Sequence, residues 1–103
     1  ALMTEEPFAP VMPILDFDTI EEAIQRANDT NFGLAAYVLT NDLSTAFKMA
    51  EGLEFGIIGI NDTVPSVPQA PFGGLKESGI GRECSIEGMD AYLETKSVSI
   101  ALQ

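Results

Sequence analysis

The chain has 103 residues, enough for one small domain, and a formal net charge of −11 from 5 Lys and Arg against 16 Asp and Glu. This acidic balance argues against a nucleic-acid partner and against an anionic membrane surface, because both bind clustered Lys and Arg. With no histidine and a single cysteine, the chain cannot form an internal disulfide, and no zinc or iron site of the common nitrogen and sulfur type is expected. No apolar run is long enough to span a membrane and no secretory signal opens the chain. The single cysteine and the absence of histidine fit a reducing cytoplasm, where we expect the protein to be located.

The first elements are a strand and a helix. The apolar run at residues 11–17 predicts a buried strand. A helix is expected to begin after Thr19, since Thr19 and Glu22 have the spacing of a capping box. The apolar residues that follow recur at the spacing of one helix face: Ile20, Ala23, Ile24 and Ala27.

A second helix and two further strands follow. Residues 28–33 are rich in turn formers and residues 34–39 read as the second strand. Asn41 or Asp42 is expected to cap the second helix, and the apolar run at residues 55–60 predicts a third, central strand. The apolar face of the second helix is predicted to comprise Leu43, Ala46, Phe47, Ala50 and Leu53.

The two helix-strand units resemble each other. Each is a helix followed by Phe-Gly and a strand, and Phe32-Gly33 recurs 23 residues later as Phe55-Gly56. Apolar strands that alternate with helices predict an α/β fold, a parallel sheet with right-handed β-α-β-α-β crossovers. Ligands bind such sheets at the carboxyl ends of the strands, so the long connection from Asn61 to about Glu83 is a candidate functional loop.

Residues 70–83 of this connection are rich in glycine but also carry Phe72, Leu75, Ile80 and two basic side chains. Such a loop is shaped either to lie against a ligand or to make a tight crossing between two elements. It does not match a phosphate-binding loop, because Ile80-Gly81 stands where Lys and Ser or Thr are required. It does not match a dinucleotide fingerprint either, since no strand leads into a G-x-G-x-x-G that opens a helix.

The C-terminal part predicts a helix and a strand. Ser85 could cap a helix over residues 86–95, although Gly88 weakens its helix propensity by about 1 kcal/mol. Residues 97–102 alternate apolar with small or polar side chains, which is typical of a half-buried edge strand. A terminal edge strand favours pairing with another chain.

Taken together, these residues resemble the C-terminal part of an aldehyde dehydrogenase over essentially the whole chain. Within that superfamily the resemblance is strongest to the succinate-semialdehyde dehydrogenase branch, through residues 56–61 and Ser66. The motifs that carry the resemblance occur in the family's order: residues 5–10, residues 27–30 with 33–36, residues 59–61, residues 70–74 with Lys76 and residues 78–79, and residues 92–94 with Lys96.

The resemblance implies part of an oxidoreductase that oxidises a small aldehyde to the acid with NAD or NADP. In the family a cysteine thiolate attacks the aldehyde, hydride passes to the coenzyme, and a glutamate-activated water hydrolyses the thioester. None of those catalytic groups has a counterpart in this chain, so no catalytic residue is assigned and the chain alone is expected to be inactive. The implied division is the C-terminal part of the catalytic domain at residues 1–96 and an oligomerisation strand at residues 97–103, joining copies of the subunit.

Four side chains are implied to line the site. Glu6 matches a glutamate that accepts hydrogen bonds from the nicotinamide ribose, and Phe8 matches an aromatic beside that ribose; a solvated carboxylate is the alternative for Glu6. Ser66 is implied to contact the substrate's distal carboxylate, and otherwise it is a solvated loop serine. Phe72 is implied to line the aldehyde tunnel, and its alternative is an anchor for the glycine-rich loop.

Cys84 stands where the family usually has glycine and has no histidine to serve as its base, so we assign it no catalytic role. The chain begins with Ala1 rather than Met, which suggests a piece of something longer. A non-catalytic α/β binding or assembly module is the alternative function. In either case the isolated chain is expected to be an oligomer or a poorly stable monomer, because it would expose apolar faces.

Overall fold

The structure is a computed structural model that describes residue 5 and residues 7–102. In chain order the elements are α1 (Ile20–Asn28), β1 (Phe32–Gly33), β2 (Ala35–Val38), α2 (Leu43–Gly52), β3 (Ile57–Ile60), β4 (Leu75–Lys76) and α3 (Glu87–Asp90). Strand β2 lies beside β3 in one two-stranded sheet, and β1 lies beside β4 in another.

Both long helices begin at side-chain caps. The Thr19 hydroxyl accepts a hydrogen bond from the Glu22 N–H at 3.1 Å, and the Asp42 carboxylate accepts one from the Thr45 N–H at 2.7 Å. These bonds satisfy backbone donors that the first helical turn leaves free. The Glu22 carboxylate turns back to the Asp18 N–H rather than to Thr19, so the predicted capping box is displaced by one residue. This bond lowers the pKa of Glu22, and the Thr45 bonds lower that of Asp42.

Strands β2 and β3 form a parallel pair connected through α2. Their register runs from Ala35 opposite Ile57 to Val38 opposite Ile60. The two Phe-Gly pairs identified as a repeat lie side by side at the start of this sheet, where the Gly56 N–H donates to the Gly33 carbonyl at 3.0 Å. One parallel β-α-β unit of the predicted fold is therefore present.

The strand predicted at residues 11–17 is wrong, because these residues form no ladder with the rest of the described chain. Their apolar side chains, among them Ile14 and Phe17, are exposed. A strand exists only when a partner pairs with its backbone. Among the described residues, the expected β-α-β-α-β sheet is accordingly reduced to a two-stranded parallel sheet, in which β3 has a neighbouring strand on one side rather than on both.

The C-terminal elements also differ from expectation. The helix predicted over residues 86–95 is limited to the four residues of α3, and the predicted cap is absent, because no side chain hydrogen-bonds to its first turn as a cap. Within the described part of the chain, residues 97–102 form no strand, and their pairing with another chain remains a prediction. Strand β4, inside the glycine-rich stretch, was not anticipated from the sequence.

The hydrophobic core is small and lies between α2 and the parallel sheet. Among the described residues, its buried side chains are Val38, Ala46 and Leu53. Three of the five residues predicted for the apolar face of α2 are covered, whereas Leu43 and Phe47 are 71% and 61% exposed. One apolar face of α2 therefore packs against the parallel sheet, while Leu43 and Phe47 are open to solvent.

Candidate functional site

The loop that follows β3 starts from a fixed point. Asn61 has a left-handed backbone with φ of 53°, a conformation that asparagine tolerates better than most residues. Its side-chain oxygen accepts from the Thr40 N–H at 3.0 Å, and its amide donates to the Thr40 carbonyl at 2.8 Å. The ends of β2 and β3 are thereby fastened together, and the loop leaves the carboxyl edge of the sheet in a set direction.

Ser66 lies on this loop and is exposed. Two backbone hydrogen bonds shape its surroundings: the Ala70 N–H donates to the Val67 carbonyl at 3.1 Å, and the Ser85 N–H donates to the Pro68 carbonyl at 3.0 Å. The second bond ties the Ser66 loop to the segment after the glycine-rich stretch. The hydroxyl of Ser66 is therefore on a tethered loop and open to a ligand.

Residues 72–83 form a closed hairpin, which we call the glycine hairpin. Phe72 and Glu83 exchange two backbone hydrogen bonds at its base, of 2.8 Å and 2.6 Å. From within, Nη1 of Arg82 donates to the Gly74 carbonyl at 3.0 Å and to the Gly81 carbonyl at 2.7 Å. These bonds hold the glycine-rich stretch in one conformation. The Arg82 side chain therefore has a structural role in the hairpin.

The glycine hairpin is fastened to the sheet by β4, which pairs with β1. The Ser78 hydroxyl accepts from the Gly33 N–H at 2.9 Å, and the Glu77 N–H donates to the Asn31 carbonyl at 2.9 Å. Gly56 approaches the hairpin so closely that a Cβ added to it would overlap the Gly73 carbonyl oxygen. Only a residue without a side chain permits that contact.

A cavity of about 490 Å³ lies between the glycine hairpin and the segment that follows it. Its lining residues include Phe72, Tyr92, Arg82, Cys84 and several glycines of the hairpin. At its border the Ser85 hydroxyl donates to the Glu87 carboxylate and lowers the pKa of that carboxyl group. This set of groups can bind and orient a ligand. Cys84 is among the residues lining the cavity, but the chain has no histidine to activate a cysteine for covalent catalysis.

The predicted site residues are placed in different surroundings. Phe72 is half-buried and lines the cavity. Ser66 is not among the residues lining that cavity, and Phe8 is 93% exposed in the N-terminal segment. Glu6 lies outside the described residues. The assigned roles of these four side chains stay predictions.

Several residues that shape this region were not singled out for a role in the sequence analysis. Lys76, Ser78 and Asn61 belong to the motifs noted there, but their contacts lie 21 to 48 residues away along the chain. The motifs were the only available signal, and they do not reveal partners at that separation. In the described part of the molecule, no three His, Cys, Asp or Glu side chains are grouped so as to hold a metal ion, and no helix there has the length and apolar character needed to cross a membrane.

The architecture of a parallel β-α-β unit with a docked glycine hairpin can be compared with known proteins. A sequence profile described as "Aldehyde dehydrogenase family" matches residues 1–98. The chain therefore belongs to the aldehyde dehydrogenase family, as the resemblance in its motifs indicated.

Among individual relatives, the chain is similar to a succinate semialdehyde dehydrogenase of Acinetobacter baylyi, with 55% identity over 90% of this chain and 19% of the relative. It is also 50% identical to the Escherichia coli succinate-semialdehyde dehydrogenase [NADP(+)] GabD, over 95% of this chain and 20% of that enzyme. In structure it is similar to P. syringae AldA indole-3-acetaldehyde dehydrogenase, a C302A mutant in complex with NAD+ and IAA. The TM-score is 0.89 at 49% identity, over 96% of this chain and 20% of that one. The chain spans about a fifth of the length of these proteins.

Proposed function

We propose that this chain forms part of an NAD(P)-dependent aldehyde dehydrogenase that converts a small aldehyde to its carboxylic acid. The observation that carries the proposal is the glycine hairpin, which holds Phe72 at the wall of a cavity in a chain that belongs to this family. In this role Phe72 packs against the aldehyde and helps to exclude water from it. Ordered apolar walls of this kind orient a substrate for attack by groups supplied elsewhere.

Succinate semialdehyde is the proposed substrate. Two of the similar proteins are named as succinate-semialdehyde dehydrogenases, and Ser66 offers an exposed hydroxyl on a tethered loop. A hydroxyl donates a charge-assisted hydrogen bond to a carboxylate, which suits the free carboxyl group of this substrate. The indole-3-acetaldehyde dehydrogenase shares the same architecture, so the fold by itself is compatible with other aldehydes.

The proposed coenzyme site includes Glu6 and Phe8. The ring of Phe8 is almost fully exposed and is therefore available to pack against a nicotinamide ribose. NAD or NADP would supply hydride acceptance when bound. The choice between them stays open, since one similar protein is named for NADP and another is in complex with NAD+.

We further propose that residues 97–102 pair with a second copy of the subunit. Val98, Ile100 and Leu102 alternate along this segment and are all exposed. A strand from a neighbouring subunit would satisfy the backbone donors and acceptors of this segment and cover its apolar side chains. A homo-oligomer is the expected assembly.

The decisive experiment is to measure the intact mass of the native gene product and its NAD(P)-linked oxidation of succinate semialdehyde. We expect a longer subunit that turns over, and an inert isolated chain. The isolated chain has no histidine to act as a base for its one cysteine, and that cysteine is exposed. A native product of only 103 residues with no turnover would overturn the proposal and leave the non-catalytic binding or assembly module.

A further inference from the structure

The ammonium group of Lys76 joins three separate segments of the molecule. It donates to the Asn28 carbonyl at 2.9 Å and to the Thr30 carbonyl at 3.1 Å, and it pairs with the Glu54 carboxylate at 2.8 Å. Its side chain is 25% exposed, the lowest exposure among the ion-paired lysine and arginine side chains of the described chain. All three hydrogens that an ammonium can donate have an acceptor within reach.

Asn28 closes this network from the other side. Its side-chain amide donates to the Gly52 carbonyl at 2.7 Å, and its side-chain oxygen accepts from the Glu54 N–H at 2.8 Å. Asn28 therefore clamps the end of α2 while its own carbonyl receives Lys76. The end of α1, the end of α2 and the glycine hairpin are linked in one closed circuit of hydrogen bonds.

The position of Lys76 in the backbone makes this circuit relevant to the site. Lys76 has φ of 53°, a left-handed conformation that its surroundings must hold in place. It is also part of β4 and pairs with Phe32. Phe72 lies four residues before it in the same hairpin, so a shift of Lys76 moves the chain that carries the cavity wall.

We propose that Lys76 is a positioning residue, which fixes the glycine hairpin, and with it Phe72, against the ends of α1 and α2. It acts through the carbonyls of Asn28 and Thr30 and through Glu54, and it touches no substrate. The positive charge is also favourable beside the carbonyls at the end of α1. The claim that Lys76 positions Phe72 for substrate binding rests on the proposed function. The mechanical role of Lys76, which is to fix the hairpin against the ends of α1 and α2, does not.

The mechanical role is tested by amide hydrogen exchange of the hairpin in Lys76→Met, which keeps the apolar stem and removes the donors. The amides of Glu77 and Gly33 both bond across the joint between the hairpin and the sheet. We expect them to exchange roughly tenfold faster, since the loss of charge-assisted bonds opens this joint locally. Lys48→Met is the matched control, because Lys48 pairs with Glu21 at 3.4 Å, away from the hairpin. Equal exchange in the two variants would overturn the proposal.

The positioning role is tested in a chimera in which residues 5–102 replace the matching fifth of the Escherichia coli relative. Lys76→Met should raise KM for succinate semialdehyde several-fold with a smaller change in kcat, because the wall is displaced in folded enzyme. A purely structural role would lower the active fraction and hence the apparent kcat, with KM unchanged. That second result would overturn the positioning role.

The two hypotheses fail in different ways. A folded wild-type chimera without activity would count against the proposed function, while exchange at Glu77 and Gly33 would still decide the role of Lys76. Exchange is measured in the chimera and in the 103-residue chain, so the result does not depend on turnover. Glu54→Gln adds a further check, since it removes the ion pair and keeps both carbonyl acceptors. It should increase exchange less than Lys76→Met does.

Discussion

At the scale of single residues, the notable feature of Cys84 is its backbone conformation rather than its thiol. Cys84 and Ser85 have φ of 59° and 48°, two consecutive left-handed residues that are not glycine. This conformation costs an ordinary residue about 1–2 kcal/mol. The resemblance to aldehyde dehydrogenases implies that glycine is usual at position 84, and glycine adopts a left-handed φ without this cost.

Cys84→Gly is expected to raise the free energy of unfolding by about 1 kcal/mol, because relief of the left-handed strain exceeds the entropy that glycine adds to the unfolded chain. Urea denaturation would measure the change. Cys84→Ala is the matched control: it removes the thiol, keeps the Cβ, and should gain nothing. If both substitutions stabilise the protein equally, the thiol and not the backbone would be the source of the strain.

At the scale of elements, the contact between β3 and the glycine hairpin depends on backbones that meet without side chains. Gly56 precedes β3 and lies against Gly73. At Gly56 the sheet and the hairpin are thus held at a spacing that any larger residue would widen. In β1, a Cβ added to Gly33 would likewise stand 2.6 Å from the Glu54 carbonyl oxygen.

Gly56→Ala is therefore expected to lower the free energy of unfolding by about 2–3 kcal/mol, since the new methyl group overlaps backbone that cannot rotate away. Differential scanning calorimetry would show the loss. Gly52→Ala serves as the control, because its methyl group would meet the Ile24 side chain, whose end can move. A Gly56→Ala variant as stable as Gly52→Ala would contradict the observed contact.

At the scale of the whole molecule, the chain by itself covers little of its apolar surface. Its radius of gyration is 18.7 Å, against about 13 Å for a compact domain of this length. Leu43 and Phe47 form an open stripe on α2. A surface with so much exposed apolar area favours association.

The isolated chain is expected to self-associate, with an apparent Tm that rises with protein concentration, because association stabilises the folded form. Sedimentation velocity would follow the size. Replacing both Leu43 and Phe47 by Ser should shift the distribution toward monomer, whereas Val38→Ala, a change in the core, should lower Tm without reducing association of the folded protein. A sharp melting transition in a monomer, independent of concentration, would refute this prediction.

The sequence by itself determined the starts of the two long helices, the β-α-β unit between residues 35 and 60, and the family. Thr19 and Asp42 mark the starts of α1 and α2, because capping depends on neighbours three residues away. The repeated Phe-Gly pairs predicted the β-α-β unit. The family was recognisable because its motifs occur in order along the chain. Local spacing carries this information, and no distant partner is needed to read it.

The tertiary structure decided what depends on distant partners. Residues 11–17 have the composition of a strand, yet no strand pairs with them in the described chain, and composition cannot supply a partner. Strand β4 forms because Leu75 and Lys76 pair with β1, more than 40 residues away along the chain. The glycine-rich sequence around β4 predicts a loop and gives no sign of this pairing. Lys76 likewise gains its role only when folding brings Asn28 and Glu54 to its ammonium group. These hydrogen-bond partners are far from Lys76 in sequence, so only the folded structure shows them.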